Sequence, residues 1–223
     1  MKTLSLLVLA IVASLSVAVS VASSKPQRSG DGASGSMSLT VHTHSSQFGG
    51  PGGNPLLLEE TDPLEHPVQE GGFSYSSVSC EDRARFNDVA LNFNPDYPGI
   101  DDPAPVRHIV QGTVTQWDGR AGTAEGTITT FLCEDGEEGD QITIAFEGRI
   151  VQTSDDQVRF AGTYKITGGS GRFSDLTGIG SITGEFTCLA GTLQNVGAES
   201  CADLGAFSDA VFRLKGQYAD PTA

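Results

Sequence analysis

Two histidines, His42 and His44, are the first residues in this chain whose type and spacing could do chemistry. In an extended strand, residues two apart point to the same face, where both imidazoles could bind a metal ion together with His66 or a carboxylate. That face of the segment is otherwise polar and adjoins a glycine-rich loop, which favours solvent-exposed histidines instead. We therefore predict no metal site and no cofactor.

Acidic residues form the second group of candidates. Segment 134–140, EDGEEGD, offers the oxygen ligands that calcium prefers, but it lacks the spacing of an EF-hand and is better interpreted as a solvated hairpin loop. Glu125, Glu147 and Glu185 could pair for acid–base catalysis, yet strand alternation turns them away from the face that carries the glycines. The sequence contains no nucleophile-elbow motif and no phosphate-binding loop. We predict no catalytic residue.

The third group of candidates consists of four cysteines. An even number of cysteines in an exported chain indicates two disulfides. The sequence leaves three pairings open. We favour Cys188–Cys201, because residues 189–200 form a single loop between neighbouring strands, and this leaves Cys80–Cys133. No CxxC spacing is present, which argues against a zinc or redox role for the thiols.

The N-terminal segment 1–23 has one basic residue, an apolar run and small residues at its end, which is typical of a secretory signal peptide. We predict cleavage at Val21-Ala22-Ser23, with Ala18-Val19-Ser20 as the alternative. The rest of the chain is then secreted, extracellular or periplasmic. No other stretch is apolar enough to span a bilayer, so we expect no membrane association after cleavage.

The charge balance narrows the range of partners. There are 13 Lys and Arg residues against 28 Asp and Glu residues, a formal net charge of −15. Such a surface repels phosphate backbones and anionic lipids. We therefore expect neither nucleic acid nor a membrane surface as a partner.

Alternating apolar residues predict an all-β domain. Glycine recurs on the apolar face of successive strands, as in Val110-x-Gly112-x-Val114 and Phe160-x-Gly162-x-Tyr164. Inward glycines let strands bend when a small barrel closes, which favours a β-barrel over a twisted sandwich. The predicted strands are Phe73–Cys80, Asn87–Phe93, Val106–Trp117, Thr123–Cys133, Gln141–Thr153, Gln157–Thr167, Gly178–Cys188 and Phe207–Tyr218.

The N-terminal third is irregular. Residues 24–35 are small and polar, which predicts a disordered leader. Residues 36–72 combine a first strand with a long Gly/Pro-rich loop, and the apolar run Leu56–Leu58 favours a loop that folds back over an opening of the barrel. Residues 73–219 form the barrel domain.

One motif carries a family likeness. The segment FAGTYKITGGSGRF, residues 160–173, followed by Gly178-x-Gly180, resembles the ItGGTGrF/Y signature of the allene oxide cyclase barrel-like superfamily, which is structurally grouped with plant dirigent proteins. Segment 139–144, GDQITI, is also similar, and Ser170 stands where the family more often has Thr. The resemblance implies an eight-stranded antiparallel barrel with an apolar lumen, often homo-oligomeric. Its members cyclise fatty-acid epoxides, direct phenoxy-radical coupling or act as polyketide cyclases.

The even-numbered face of the strands would line such a lumen, with few ionisable groups. We expect core packing there, or a binding surface for a small apolar ligand, formed by Val114, Ile128, Phe146, Phe160, Tyr164 and Phe212. The main hypothesis is a disulfide-bonded β-barrel that binds a small apolar molecule or has an interaction role, without catalysis. The alternatives are an isomerase or cyclase acting in the lumen, and an acidic, calcium-linked extracellular protein.

Overall fold

The computed structural model describes residues 32–45, 54–60, 64–81, 91–100 and 104–223. The predicted signal peptide lies outside these ranges. So do residues 24–31 of the predicted leader, residues 87–90 of one predicted strand, and parts of the 47–72 loop.

Within the described ranges the chain is mostly β-structure, which confirms the predicted all-β class. Two short helices, α1 (Ala190–Val196) and α2 (Cys201–Leu204), lie between the strand that ends at Thr187 and the strand that begins at Ala206. The strands are β1 (Ala33–His44), β2 (Leu56–Leu57), β3 (Gly71–Ser76), β4 (Leu91–Asn94), β5 (Val106–Thr115), β6 (Ala121–Glu134), β7 (Glu137–Ser154), β8 (Gln157–Gly169), β9 (Thr177–Thr187), β10 (Ala206–Phe207) and β11 (Asp209–Asp220).

The large sheet is antiparallel, and its strands are arranged in a ring. Its order is β11-β9-β8-β7-β6-β5-β3-β1-β4, and β1 also pairs with β11. The β1–β11 pairing runs from Ala33↔Asp220 to His44↔Asp209. Because β1 also meets β3 at His44↔Ser76, the strand order returns to its starting point. A separate two-stranded sheet joins β2 to β10.

Alternation along each strand separates an interior from an outer face. In β8, Phe160 and Tyr164 are buried, whereas Arg159 and Lys165, the residues next to them in sequence, are exposed. The interior side is the even-numbered one from β5 onward, as the sequence predicts. In β1 it is the odd-numbered side, which buries Met37, Leu39 and Val41.

The inward glycines make room for aromatic rings. A Cβ atom at Gly112 would lie 2.4 Å from the Phe73 ring, and one at Gly216 would lie 2.4 Å from the Tyr164 hydroxyl. Each ring therefore lies over a strand backbone that has no side chain of its own. This is the close approach that the glycine pattern predicts.

The structure differs from the sequence predictions at three places. The acidic segment 134–140 is predicted as a hairpin loop, but only Asp135 and Gly136 form a turn there, and its other residues belong to β6 and β7. The first strand begins at Ala33, inside the predicted 24–35 leader, because residues from Ala33 onward pair with β11. The predicted loop 189–200 contains α1, whereas the sequence shows no helical period. A helix of 7 residues is too short to display one, and its end is set by Gly197, with a φ of 73°.

Both favoured disulfides are present, Cys80–Cys133 and Cys188–Cys201. The first ties the segment after β3 to β6. The second closes the excursion that contains α1. Two disulfides in an all-β chain fit an oxidising, extracellular-type environment.

Candidate functional site

The six predicted lumen residues lie in one hydrophobic core, and each is at most 4 % exposed. Three of them form mutual ring contacts: the centroids of Phe146 and Phe160 are 5.5 Å apart, and those of Phe160 and Phe212 are 6.4 Å apart. Such edge-to-face and tilted contacts are typical of packed aromatic cores. These side chains therefore fill the space between them.

Aromatic side chains from strands on opposite sides of the interior also contact one another. Phe73 of β3 lies 5.5 Å from Phe186 of β9, centroid to centroid, although these strands are not neighbours in the sheet. Tyr75 lies 5.6 Å from the same Phe186 ring. The interior is closed by side chains at this level.

One end of the interior is covered by the described part of the 47–72 loop. Leu56 is 2 % exposed and pairs with Phe207, while Val68 is fully buried. The Gln152 side chain makes two hydrogen bonds to the backbone of this loop. Its Oε1 accepts from the Val68 N–H at 2.8 Å, and its Nε2 donates to the His66 carbonyl at 2.7 Å. Within the apolar run 56–58, Leu56 belongs to the core and Leu58 packs against it, whereas Leu57 is 41 % exposed.

Two interior tyrosines have opposite surroundings. The Tyr75 hydroxyl donates to the Phe207 carbonyl at 2.6 Å and accepts from the Leu56 N–H at 2.8 Å. The Tyr164 hydroxyl is buried and has no hydrogen-bond partner among the described residues. Burial raises the pKa of both phenols, that of Tyr164 to about 12. The sequence predicts the inward hydroxyl of Tyr164 but not the bonded one of Tyr75.

The turn of the signature motif binds the acidic segment 134–140 through hydrogen bonds and ion pairs. Arg172 donates to Asp140 Oδ2 at 2.7 Å and to Glu134 Oε1 at 2.6 Å, and Arg107 pairs with Glu138. The Arg172 backbone N–H, with its guanidinium, holds the pKa of Asp140 below its usual range. Glycine is favoured at Gly171, because its φ is 56° and a Cβ atom would lie 1.7 Å from Asp140 Oδ1. Three acids of segment 134–140 thus face arginine.

A wide groove lies on the outer face of the ring and is the candidate functional site. It crosses β3, β5 to β9 and β11 and encloses about 1630 Å³. Its lining includes inward glycines such as Gly126 and Gly216, and also the inward rings of Phe73, Phe146 and Tyr164, of which Phe146 and Tyr164 are predicted lumen residues. We call this feature the outer groove.

The outer groove has apolar and charged walls. Ile109 and Ala145 are half-buried in it, and Ile179 is 65 % exposed. Glu125 and Glu147 face each other directly across β6 and β7, an arrangement in which like charges repel. Neither forms an ion pair with another described residue. The sequence places both carboxylates outward, but their opposition depends on hairpin register, which the sequence does not show.

The sequence suggests His66 or an unnamed carboxylate as the third member of the histidine pair, and the structure places a carboxylate there, that of Asp209. His42 and His44 point to the same face, and Asp209 on β11 completes the cluster, whereas His66 does not belong to it. Burial alone would raise the pKa of Asp209, but hydrogen bonds from His44, Ser208 and the Leu189 N–H outweigh it and lower that pKa.

No protein-family model, no curated protein and no solved structure matches this chain. The likeness to the allene oxide cyclase barrel-like superfamily therefore stays a prediction. Among the described helices, none is long and apolar enough to cross a membrane.

Proposed function

We propose that this chain is a secreted, disulfide-bonded β-barrel protein with an interaction role, and that its partner in the outer groove is a second copy of the same chain. The observation that carries the proposal is the contrast between a filled interior and a wide groove whose walls are apolar and charged. Core packing leaves little for a ligand to contact inside, and contiguous exposed apolar surface marks interaction sites.

The apolar part of the groove supports association with a protein. Its volume of about 1630 Å³ exceeds the 300–1,000 Å³ or so of small-molecule pockets. Ile179 lines the groove at 65 % exposure, the largest value among the exposed large apolar residues of the described ranges. A side chain of this kind gains most when a second protein surface covers it.

The charges favour a second copy over an unrelated acidic partner. The whole chain has a net charge of −15, so most of its surface repels another copy. The outer groove instead brings Arg107 and Lys165 together with Glu125 and Glu147. This balance makes the groove a surface on which two identical acidic chains can meet with opposite charges in contact.

The proposal takes the ring of strands as an eight-stranded antiparallel barrel of the allene oxide cyclase-like type. In its support, β1 pairs on both sides and returns the strand order to its start. The signature turn also has a structural role here through Arg172, which holds Asp140 and Glu134.

Sedimentation velocity over a concentration series tests the association. The unmodified chain, produced with its disulfides and kept in EDTA, should form an oligomer that dissociates on dilution. Ile179→Asp should weaken that association at least about tenfold, because it places a charge in the buried contact. Val196→Asp is the matched control, since Val196 is 46 % exposed on α1 and does not line the groove.

Charge reversal sharpens the test. Glu147→Lys and Lys165→Glu should each weaken association, and the double variant should recover at least part of it. A chain that stays monomeric at millimolar concentration, or an Ile179→Asp variant that associates as well as Val196→Asp, would contradict the proposal.

A second candidate function is the binding or cyclisation of a small apolar molecule inside the barrel. One observation favours it: the buried Tyr164 hydroxyl has no partner among the described residues, and a buried polar group of that kind is what an inward-bound molecule could satisfy. An apolar fluorescent probe that binds the unmodified chain but not Tyr164→Phe would support this candidate. Equal binding to both, or none, would count against it.

A further inference from the structure

The cluster of His42, His44 and Asp209 brings three ligand types together on two paired strands. Their ligand atoms all lie within 4.8 Å of one another. The two histidines are on the outer side of β1, and Asp209 stands directly opposite His44 on β11. Because two ladders of backbone hydrogen bonds fix these positions, the cluster is held by rigid elements rather than by a loop.

The chemistry of these donors matches a particular class of ion. Two imidazoles with one carboxylate form a common ligand set for zinc, with Zn–N and Zn–O distances of about 2.0–2.2 Å. Hard cations such as calcium prefer oxygen ligands alone. We propose that His42, His44 and Asp209 form a Zn²⁺ site with three protein ligands and an open position toward solvent.

The surroundings of Asp209 orient it for this role. Its Oδ2 accepts hydrogen bonds from the Leu189 N–H and the Thr192 hydroxyl, both at 3.1 Å, and from the Ser208 hydroxyl at 2.5 Å. These partners occupy Oδ2 and leave Oδ1 directed at His44 Nδ1, with which it makes a short contact. Carboxylates that bind zinc are supported by outer hydrogen bonds of this kind.

The burial pattern gives the ion an entry route. The Asp209 side chain is fully buried, whereas the His44 side chain is 36 % exposed. Zinc bound by both side chains would take the place of the hydrogen bond that joins His44 Nδ1 and Asp209 Oδ1. The ion would then join the first strand of the ring to the last and to the segment that begins α1.

Titration calorimetry with ZnCl₂ tests the site on the tag-free, disulfide-bonded chain after removal of metals. The unmodified chain should bind one equivalent of zinc, and its melting temperature should rise with zinc concentration. His42→Gln and His44→Gln should each weaken binding at least about tenfold, since each removes one ligand. His66→Gln is the matched control, because His66 lies outside the cluster and should bind zinc like the unmodified chain.

Cobalt gives an independent readout. Co²⁺ added to the unmodified chain should produce visible absorption bands of a low-coordinate site, and these bands should be absent from His42→Gln. The His44→Gln variant keeps a side-chain donor for Asp209, so it should remain folded and report on ligand loss alone. No zinc binding by the unmodified chain, or equal binding by His42→Gln, His44→Gln and His66→Gln, would overturn the proposal.

Discussion

The interior of the ring and the outer groove are made by the same strands, yet they have opposite characters. The interior is aromatic, closed and almost free of exposure, with rings such as Phe73 and Phe186 meeting across it. The outer groove is wide, with exposed Ile179 and two opposed carboxylates. The inward glycines belong to both regions, because rings pack against them from inside and several of them line the outer groove.

The largest effect should come from opening the interior. Phe212→Ala removes a fully buried ring that contacts Phe146, Phe160 and Phe186. We expect the free energy of unfolding to fall by about 3–5 kcal/mol, measured by denaturant unfolding with disulfides intact. A loss below about 1 kcal/mol would mean that the interior tolerates a void, as a ligand chamber would.

Within the interior, the two tyrosines should respond differently. Tyr75→Phe leaves the buried Phe207 carbonyl and Leu56 N–H without their partner, so we expect a loss of about 1–3 kcal/mol. Tyr164→Phe removes a hydroxyl that has no partner among the described residues, so stability should stay the same or rise. The same unfolding assay compares the two. Similar losses in both variants would show that Tyr164 has a partner in the folded chain.

The interaction of Arg172 with Asp140 at the signature turn should make the stability of the fold depend on pH. The pKa of Asp140 lies below its ordinary value in the folded chain. Its ionised form therefore stabilises the fold above a pH of about 4. That contribution is lost as the pH falls through the lower, folded-state pKa.

Asp140→Asn should lower stability at neutral pH, and its difference from the unmodified chain should shrink as the solution is acidified. Unfolding curves between neutral and strongly acidic pH check this. Asp155→Asn is the control, because Asp155 lies in the β7–β8 turn and makes no ion pair with a described residue. A pH-independent difference between Asp140→Asn and the unmodified chain would contradict this account.

The smallest effect on folding should come from the outer groove. Ile179→Asp changes an exposed position, so the free energy of unfolding of the dilute monomer should change by about 0.5 kcal/mol or less. This substitution tests the difference between the interior and the outer groove, since it should weaken association and leave folding unchanged. A loss comparable to that of Phe212→Ala would remove the distinction between the two regions.

Local patterns in the sequence predict the fold to a large extent. Alternation identifies the interior side of β5 to β11, because residues such as Phe160 and Tyr164 must share a face with one another. The sequence leaves three disulfide pairings open; the loop between neighbouring strands favours Cys188–Cys201, and Cys80–Cys133 then follows by elimination. The seven-residue α1 is too short to show a period, and pairing with β11, which starts β1 at Ala33, is a long-range event.

The sites were harder to predict because they depend on register between strands. Glu125 and Glu147 are separated along the chain and come together only because β6 and β7 pair in one particular alignment. Asp209 lies within the predicted strand Phe207–Tyr218, and only the β1–β11 register places it opposite His44. The shape of the outer groove depends on sheet curvature, which no single strand reveals.

Native mass spectrometry of the disulfide-bonded chain, purified from its own host and exchanged into a chelating buffer, tests the central claim most directly. One spectrum reports both the oligomeric state and the mass of any bound ligand. The account predicts an oligomer whose mass is a whole multiple of the polypeptide mass, reduced to monomer by Ile179→Asp but not by Val196→Asp. A monomer that carries a reproducible small-molecule mass, lost on denaturation, would contradict it and place the function inside the barrel.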